Sequence, residues 1–344
     1  MVVRIAILVF LALISAAQAR PLLVDDAQFA AVMSNTKLSN GILRKCEKEI
    51  EADTHAVADF APMPHYTAQG ANPDDDQAKG LTGDFRRAYH LALCYRLNGN
   101  TAYAIQAQHI IDAWAVTMKL ASNPQGRSDI NFNLAQLVVA ASWVEEANAW
   151  NTTPFKNWLK SVVEPLSLNA EPNNRGNWGN LQDISIAAFT EDNSALTKAA
   201  TRWQMLVASE IADDGTMPLE ICRSNSSNHC DGPDKGVNGL AYTHYALLPI
   251  FLAAQILQVQ GVDVFNSNAA TSLQSAFAKS AYFTANPAHF PFYDLNHGKL
   301  NKLDHCAYFA LALRHFPNQN ARAVMNTGTC KSDIWQILLL FNPV

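Results

Sequence analysis

The sequence predicts an all-α chain folded as an α/α toroid, an incomplete α/α barrel built from successive antiparallel helical hairpins. Three observations predict it. Apolar residues recur at helical spacing through most of the chain. Strand alternation, and Asn-Gly turns between alternating runs, are scarce. The helical segments, about a dozen by their 3.6-residue period, follow one another without a Ser/Pro-rich linker, so residues 20–344 read as one domain. No sequence repeat of fixed period is present. A plain orthogonal helical bundle is the alternative architecture.

The hairpin at residues 82–120 carries the clearest pattern. Thr82 stands as a cap for a helix to residue 97, with Phe85, Ala88, Ala92 and Tyr95 on one face. Asn98-Gly99-Asn100 supplies a left-handed stop. In residues 101–120 the apolar positions Tyr103, Ala107, Ile110, Ile111, Trp114 and Met118 form the stripe of a helix with one buried face. Residues 133–148 read as an Ala/Leu/Val-rich helix. Thr153-Pro154, a cap followed by proline at the first helical position, opens another to about residue 166. Further helices are expected at 178–189, 194–212, 240–258, 269–280, 303–316 and 332–341. The segments 65–79, 123–129, 170–177, 213–237 and 285–299 read as loops gathered at one rim of the toroid.

Composition narrows the function. The chain has 344 residues, 49% hydrophobic and 16% charged, the latter below the usual ~25%. This excludes a disordered or collagen-like chain. The net charge is −5, so nucleic-acid binding through bulk positive charge is not expected. An anionic ligand requires a locally basic cleft. At the N-terminus, Met-Val-Val-Arg precedes an apolar run, and Ala17-Gln18-Ala19 offers a small-x-small cleavage site. Residues 1–19 read as a secretory signal peptide, shorter than the ~20 residues that span a bilayer. No later segment is expected to span, and the protein is expected to be secreted or periplasmic and monomeric.

All six cysteines lie beyond that site, and an even number in an exported chain favours disulfides. Sequential pairing, Cys46–Cys94, Cys222–Cys230 and Cys306–Cys330, closes the shortest of the fifteen possible sets of loops. A zinc site using His229 or His305 is the rival, but the spacings fit no CxxC pattern. Asp74-Asp75-Asp76 lacks the spaced ligands of a calcium loop, so no metal or cofactor is expected. Asn151-Thr-Thr and Asn225-Ser-Ser are glycosylation sequons.

Three loops are richer in polar and aromatic residues than solubility requires. In Glu171-Pro-Asn-Asn-Arg-Gly-Asn-Trp-Gly-Asn180 the amides of Asn173 and Asn174 can donate to a carboxylate, Arg175 can pair with it, and Trp178 can stack on a sugar. The plainer alternative is a turn shaped by its Asn and Gly residues. In Gly239-Leu-Ala-Tyr-Thr-His-Tyr-Ala-Leu-Leu-Pro249, Tyr242 and Tyr245 are three apart and share a helical face. His244 points about 200° away from Tyr242, so one face cannot use both; Tyr242 is the candidate, and His244 a core or supporting histidine. The 217–235 loop adds Glu220, Arg223, His229 and Lys235 just before the tyrosine helix. Tyr66, Arg127 and Asn131 are further candidates for lining the cleft.

These segments resemble the alginate lyase family of polysaccharide lyases, including its glucuronan-cleaving relatives. The family's Asn-Asn-His element is similar to Asn173-Asn174-Arg175. Its Pro-x-Glu…Arg…Ala-Leu-x-Tyr-His-Asn-Tyr-Ala-Leu stretch is similar to Pro218-Leu-Glu220 followed by Leu240-Ala-Tyr242-Thr-His-Tyr245-Ala-Leu. The resemblance covers roughly residues 80–260 and implies an α/α toroid that cleaves an anionic, uronic-acid polysaccharide by β-elimination. It places the asparagine role on Asn174 and the tyrosine role on Tyr242. The family's histidine position holds Arg175, and its arginine corresponds to Arg223 or Lys235. His244 stands one position away from the family's histidine after the tyrosine. With arginine in place of the histidine base, Tyr242 is expected to act as both base and acid. A glycoside hydrolase on a similar barrel would need two facing carboxylates; Glu145, Glu146, Asp183 and Glu220 offer no convincing pair. A non-catalytic polyuronate-binding protein is the third reading.

Overall fold

Four long helices are buried over most of their length, and surrounding them organises the molecule. The computed structural model describes residues 22–67, 70–71, 75–225, 230–330, 335 and 340–341; the proposed signal peptide at 1–19 and most of the helix expected at 332–341 lie outside them. The described helices are α1 (Asp26–Ser34), α2 (Thr36–Glu49), α3 (Asp76–Asn98), α4 (Thr101–Thr117), α5 (Pro124–Val144), α6 (Thr153–Trp158), α7 (Asn173–Phe189), α8 (Asn193–Glu210), α9 (Pro218–Ile221), α10 (Gly239–Val259), α11 (Asn268–Ala285), α12 (Phe309–Ala312) and α13 (Gln319–Asn326). A minimal antiparallel ladder pairs β1 (Tyr66–Thr67) with β2 (Gly70–Ala71).

The arrangement is an α/α toroid. The inner row is α3, α5, α7 and α10, each packed on the next; α4, α6, α8 and α11 flank it. From Asn133 to Val144 every α5 side chain is buried. In α10 every residue from Gly239 to Leu257 is buried except Tyr242 and Tyr245. By length and apolarity alone α10 could cross a membrane, against the sequence expectation, but here it is a core helix. Its Gln255 Nε2 donates to the Leu23 carbonyl at 3.1 Å and ties the N-terminal segment to the ring.

Short connections set helix direction. The α3–α4 hairpin turns at Gly99 (φ 72°), whose N–H bonds the Tyr95 carbonyl, as the sequence predicts. On α5, α7 and α10, Phe132, Trp178 and Tyr245 lie at similar depths from the helix starts and touch one another: ring centroids are 5.9 Å apart for Phe132–Trp178 and 5.2 Å for Trp178–Tyr245. At the start of α3, Asp75 accepts from Met63 N, while Gln125 at the start of α5 accepts from the neighbouring His65 N. The inner helices therefore begin at one rim. Their positive dipole ends gather there.

Several boundaries differ from the sequence reading. α3 begins six residues before Thr82, because Asp75 Oδ1 takes the Ala78 N–H at 2.9 Å and is the actual cap. Residues 123–129 are not a loop: Asn123 caps α5 and Pro124 occupies its first turn. The 303–316 helix is reduced to turns and the short α12, and α1, α2 and α13 were not anticipated. Asp84, fully buried on α3, accepts from His55 N (2.6 Å), Trp114 Nε1 (2.9 Å) and Arg87 Nη1 (3.1 Å). It pins the otherwise irregular residues 53–60 against α3 and α4.

All three sequential disulfides form: Cys46–Cys94 joins α2 to α3, Cys222–Cys230 closes the loop after α9, and Cys306–Cys330 ties the C-terminal turns. Cys46 and Cys94 are 48 residues apart. Replacing both by alanine is expected to cost about 4 kcal/mol of folding stability by loop-closure entropy. Denaturant titration of the oxidised parent and the variant measures the difference.

Candidate active site

Among the side chains of the inner helices that escape burial are Phe132 on α5, Asn173 and Arg175 at the start of α7, and Tyr242 and Tyr245 on α10, all in the first turns of their helices at the common rim. Each approaches its neighbour closely. A Cβ at Gly176 would fall 2.0 Å from the Glu171 carbonyl oxygen, and one at Gly239 would fall 1.9 Å from that of Ile221. Only glycine lets the first turns of α7 and α10 lie against those straps.

The central contact lies beneath α7. Glu220 on α9 is fully buried, and its Oε1 accepts from the Asn174 main-chain N–H at 2.7 Å and from Asn174 Nδ2 at 3.0 Å. Nδ2 also lies 3.1 Å from Oε2. Asn174 is itself 2% exposed. Beside Glu220 stands Glu210, at the end of α8, accepting from Asn177 Nδ2 at 2.6 Å and from the Asn173 main chain. Burial pushes both carboxyl groups up to about 7, although hydrogen bonds and the cations Arg223 and Arg202 pull the other way and the two acids repel.

Arg223 links this interior to the opening. Its charge acts on Glu220, and its guanidinium carbon lies 4.5 Å from the centroid of the Tyr242 ring. The backbone around it is fixed: Asn238 N donates to the Arg223 carbonyl at 3.0 Å, and Gly236 N to that of Cys222 at 3.0 Å. Tyr242 meets Tyr245 edge-on at 6.4 Å, and Tyr245 continues to Phe132 and Trp178. Arg175 is half-exposed and paired with Glu171 four residues earlier on the rim.

The structure thus links Asn174, Arg223, Tyr242 and Tyr245 through Glu220 and ring contacts, whereas Arg175 is turned to Glu171. Asn173 adopts φ 66° and its Oδ1 accepts from Arg175 N at 3.0 Å, so it shapes the turn. Lys235 lies over the Phe292 ring at 5.7 Å; of the two cation candidates, Arg223 is the one on the tyrosine. The α7 start also differs from expectation. The Asn-Asn-Arg element forms the first turn of the helix rather than a loop before it.

Four expectations are corrected. Trp178 is fully buried between Phe132 and Tyr245 and has no face for a sugar. His244 is fully buried among Tyr308 (3.3 Å), Ser280 (3.2 Å) and Thr284 (3.2 Å). Burial lowers it to about 3, so it is a neutral core histidine rather than a catalytic one. Arg127 spends its donors on the Leu166 and Ser167 carbonyls. Asn131, fully buried, donates to Arg127 O and Leu166 O and accepts from Leu168 N at 3.0 Å. Both fasten α5 to the strap before α7 instead of lining a subsite. The Tyr66 side chain and His229 lie outside the described residues.

The carboxylates considered for a hydrolase are engaged otherwise. Glu145 pairs with Lys156 at 2.8 Å. Asp183 is held by Asn169, and Glu220 by Asn174. Sequence reasoning missed Glu210 and Asn177 as partners of the site, and Phe132 as its aromatic floor. Only the Asn-rich start of α7 hinted at buried acceptors below it.

Comparison with known proteins follows this geometry. The model of the alginate lyase family matches residues 28–290. A polysaccharide lyase of Stenotrophomonas maltophilia (strain K279a) is 25% identical over 219 residues, 60% of this chain and 57% of the relative, so the match spans little more than half of that protein. An alginate lyase from Bacteroides ovatus superposes with a TM-score of 0.71 at 16% identity, over 94% of this chain and 98% of that one. A tyrosine-to-phenylalanine variant of alginate lyase A1-III complexed with a tetrasaccharide gives 0.72 at 16% identity, over 94% and 96%. At these identities the superpositions establish the shared fold.

The raised carboxyl groups make stability depend on pH with a definite sign. Between their ordinary values and about 7, folded Glu210 and Glu220 hold protons that the unfolded chain has released, and Asp129 and Asp183, raised to about 6, add to this. Stability is thus expected to fall as pH rises from 5 to 8. His244 and His315, lowered to about 3 and 4, offset part of the trend below about pH 6.5. Melting temperature measured across this range checks the direction, and a Glu210→Gln/Glu220→Gln variant should show a flatter curve.

Proposed function

The chain belongs to the alginate lyase family, and from that premise we propose that it depolymerises a uronic-acid polysaccharide, alginate or glucuronan, by β-elimination. One observation carries the reading. Tyr242 and Tyr245 are the two residues of α10 between Gly239 and Leu257 that are not buried, and Tyr242 holds a permanent cation, Arg223, 4.5 Å from its ring.

The chemistry follows from the acidity of C5. While the neighbouring carboxylate is ionised, its C5 proton is weakly acidic, and the charge that develops on proton removal must be stabilised. The Asn174 amide is engaged from below by Glu220, and turning one Nδ2 hydrogen away from Glu220 makes it a donor to the substrate carboxylate. Arg175 can exchange Glu171 for the substrate carboxylate. The aligned starts of the inner helices add positive potential. The Tyr242 oxygen takes the C5 proton, the electron pair forms the C4–C5 double bond, the C4–O bond breaks, and the same tyrosine returns the proton to the leaving oxygen. Arg223 favours the Tyr242 phenolate that must stand ready before the C5 proton is taken and that is regenerated when the proton is given up. The described histidine on the helix is sealed in the core, which supports a single tyrosine in both proton-transfer roles.

An oxidising compartment suits the three disulfides, and export through residues 1–19 belongs to the same proposal. Tyr242→Phe is expected to reduce formation of the ultraviolet-absorbing 4,5-unsaturated uronate by at least about a hundredfold, with an unchanged melting temperature. A near-native rate in that variant, or new reducing ends without the unsaturated product from the parent enzyme, would rule the mechanism out.

A further inference from the structure

Beneath the rim lie two carboxyl groups that the elimination itself does not use. Glu210 is 3% exposed and Glu220 is fully buried, and each repels charge on the other. Their surroundings are unequal. Glu220 is within hydrogen-bonding distance of Asn174 N and of Nδ2 through both oxygens, and Arg223 acts on it. Glu210 has Asn177 Nδ2 on one oxygen, a main-chain contact from Asn173, and the more distant influence of Arg202. Its Oε1 is buried with no hydrogen-bond partner. A bare ionised oxygen in the interior is far more costly than a protonated one, so a single negative charge shared between two such acids falls on Glu220. The other charged and titratable groups on the packed elements are turned elsewhere. Arg175 is paired with Glu171, Arg202 donates to the Asn169 and Glu171 carbonyls, and the Tyr242 ring lies under Arg223.

We propose that Glu210 and Glu220 form a positioning pair carrying one negative charge, with Glu220 ionised and Glu210 protonated, and that this charge fixes the Asn174 amide and holds Arg223 against Tyr242. Neither acid touches substrate. Glu220 acts through two groups at once, the donor for the substrate carboxylate and the cation beside the phenol. One carboxylate thereby sets the relative placement of α7 and α10 residues that share no direct bond of their own. With Glu210 already neutral, the proton affinity of Glu220 sets the pH below which the clamp loosens, and the charge on Glu220 keeps Glu210 protonated. The kinetic part of this inference rests on the lyase reading; the charge assignment does not.

The test compares the full-length parent with Glu220→Gln and Glu210→Gln, both near-isosteric. Glu220→Gln is expected to lower kcat about 10- to 100-fold, with KM within about threefold of the parent, and to abolish the acid limb of the kcat–pH profile. Glu210→Gln is expected to lower kcat less than threefold, by about the effect of one neutral hydrogen-bonding group, and to leave that limb within about 0.3 pH units of the parent, because a neutral amide replaces a neutral acid. A parent-like rate and profile in Glu220→Gln, or an equal loss in both variants, would overturn the proposal. Carboxyl ¹³C resonances of glutamate-labelled protein at pH 7, assigned through the same two variants, read the charge without turnover. One protonated and one ionised signal are expected, and two ionised or two protonated signals overturn the pair. If the parent yields no unsaturated product from any polyuronate, the lyase reading fails, and the resonances still decide the pair.

Discussion

A carboxylate taken wholly out of water must be surrounded by donors, and at Glu220 that requirement joins the parts of the site. Its oxygens are held by the main chain and side chain of Asn174, at the first turn of α7. Arg223, three residues further along the chain, favours its ionised form, against burial, which raises the group to about 7. Arg223 in turn covers the ring of Tyr242 on α10. Three segments separated in sequence therefore meet through one buried group. Removing a partner from such a group leaves it unpaired in a low-dielectric interior, which is why such contacts hold their geometry tightly.

The toroid makes that meeting possible. Each inner helix is buried on nearly all sides, and the flanking helices keep one polar face outward. Because the inner helices start at the same rim, irregular straps gather there, and the same device recurs along it. Asp84 organises residues 53–60, Asn131 fastens the strap at 166–168, and Glu220 secures the start of α7. Glycines at 176 and 239 let the helix starts lie against main-chain carbonyls. The rim is thereby a rigid polar surface assembled over an apolar core, with its less buried side chains concentrated beside one opening.

Charge is distributed to the same end. The chain is acidic overall, at −5, but the opening presents Arg175 and Arg223 together with the positive ends of helices. The acids nearest to it are paired, as Glu171 is, or buried beneath it, as Glu210 and Glu220 are. The rim thus presents cations, while the acids nearest to it are paired or lie inside the protein. Bulk net charge is therefore a poor guide to the charge at the rim.

Much of this was already written in the chain. The 3.6-residue apolar period fixed the helical class, the Asn98-Gly99 stop fixed the first hairpin, and cysteine order matched the disulfides that form. The i, i+3 spacing of Tyr242 and Tyr245 placed both on one face and His244 on the other, as the geometry of α10 bears out. These are local properties, set by backbone period and chain proximity. What tertiary structure alone decided was burial and partnership. Trp178 became core rather than a sugar platform, Arg127 and Asn131 were consumed by main-chain carbonyls, and Arg223 rather than Lys235 took the place on the phenol. Glu210 and Asn177 acquired their roles in the same way. Each outcome depends on which distant segment supplies the neighbouring atom, and no period or spacing within a single chain encodes that.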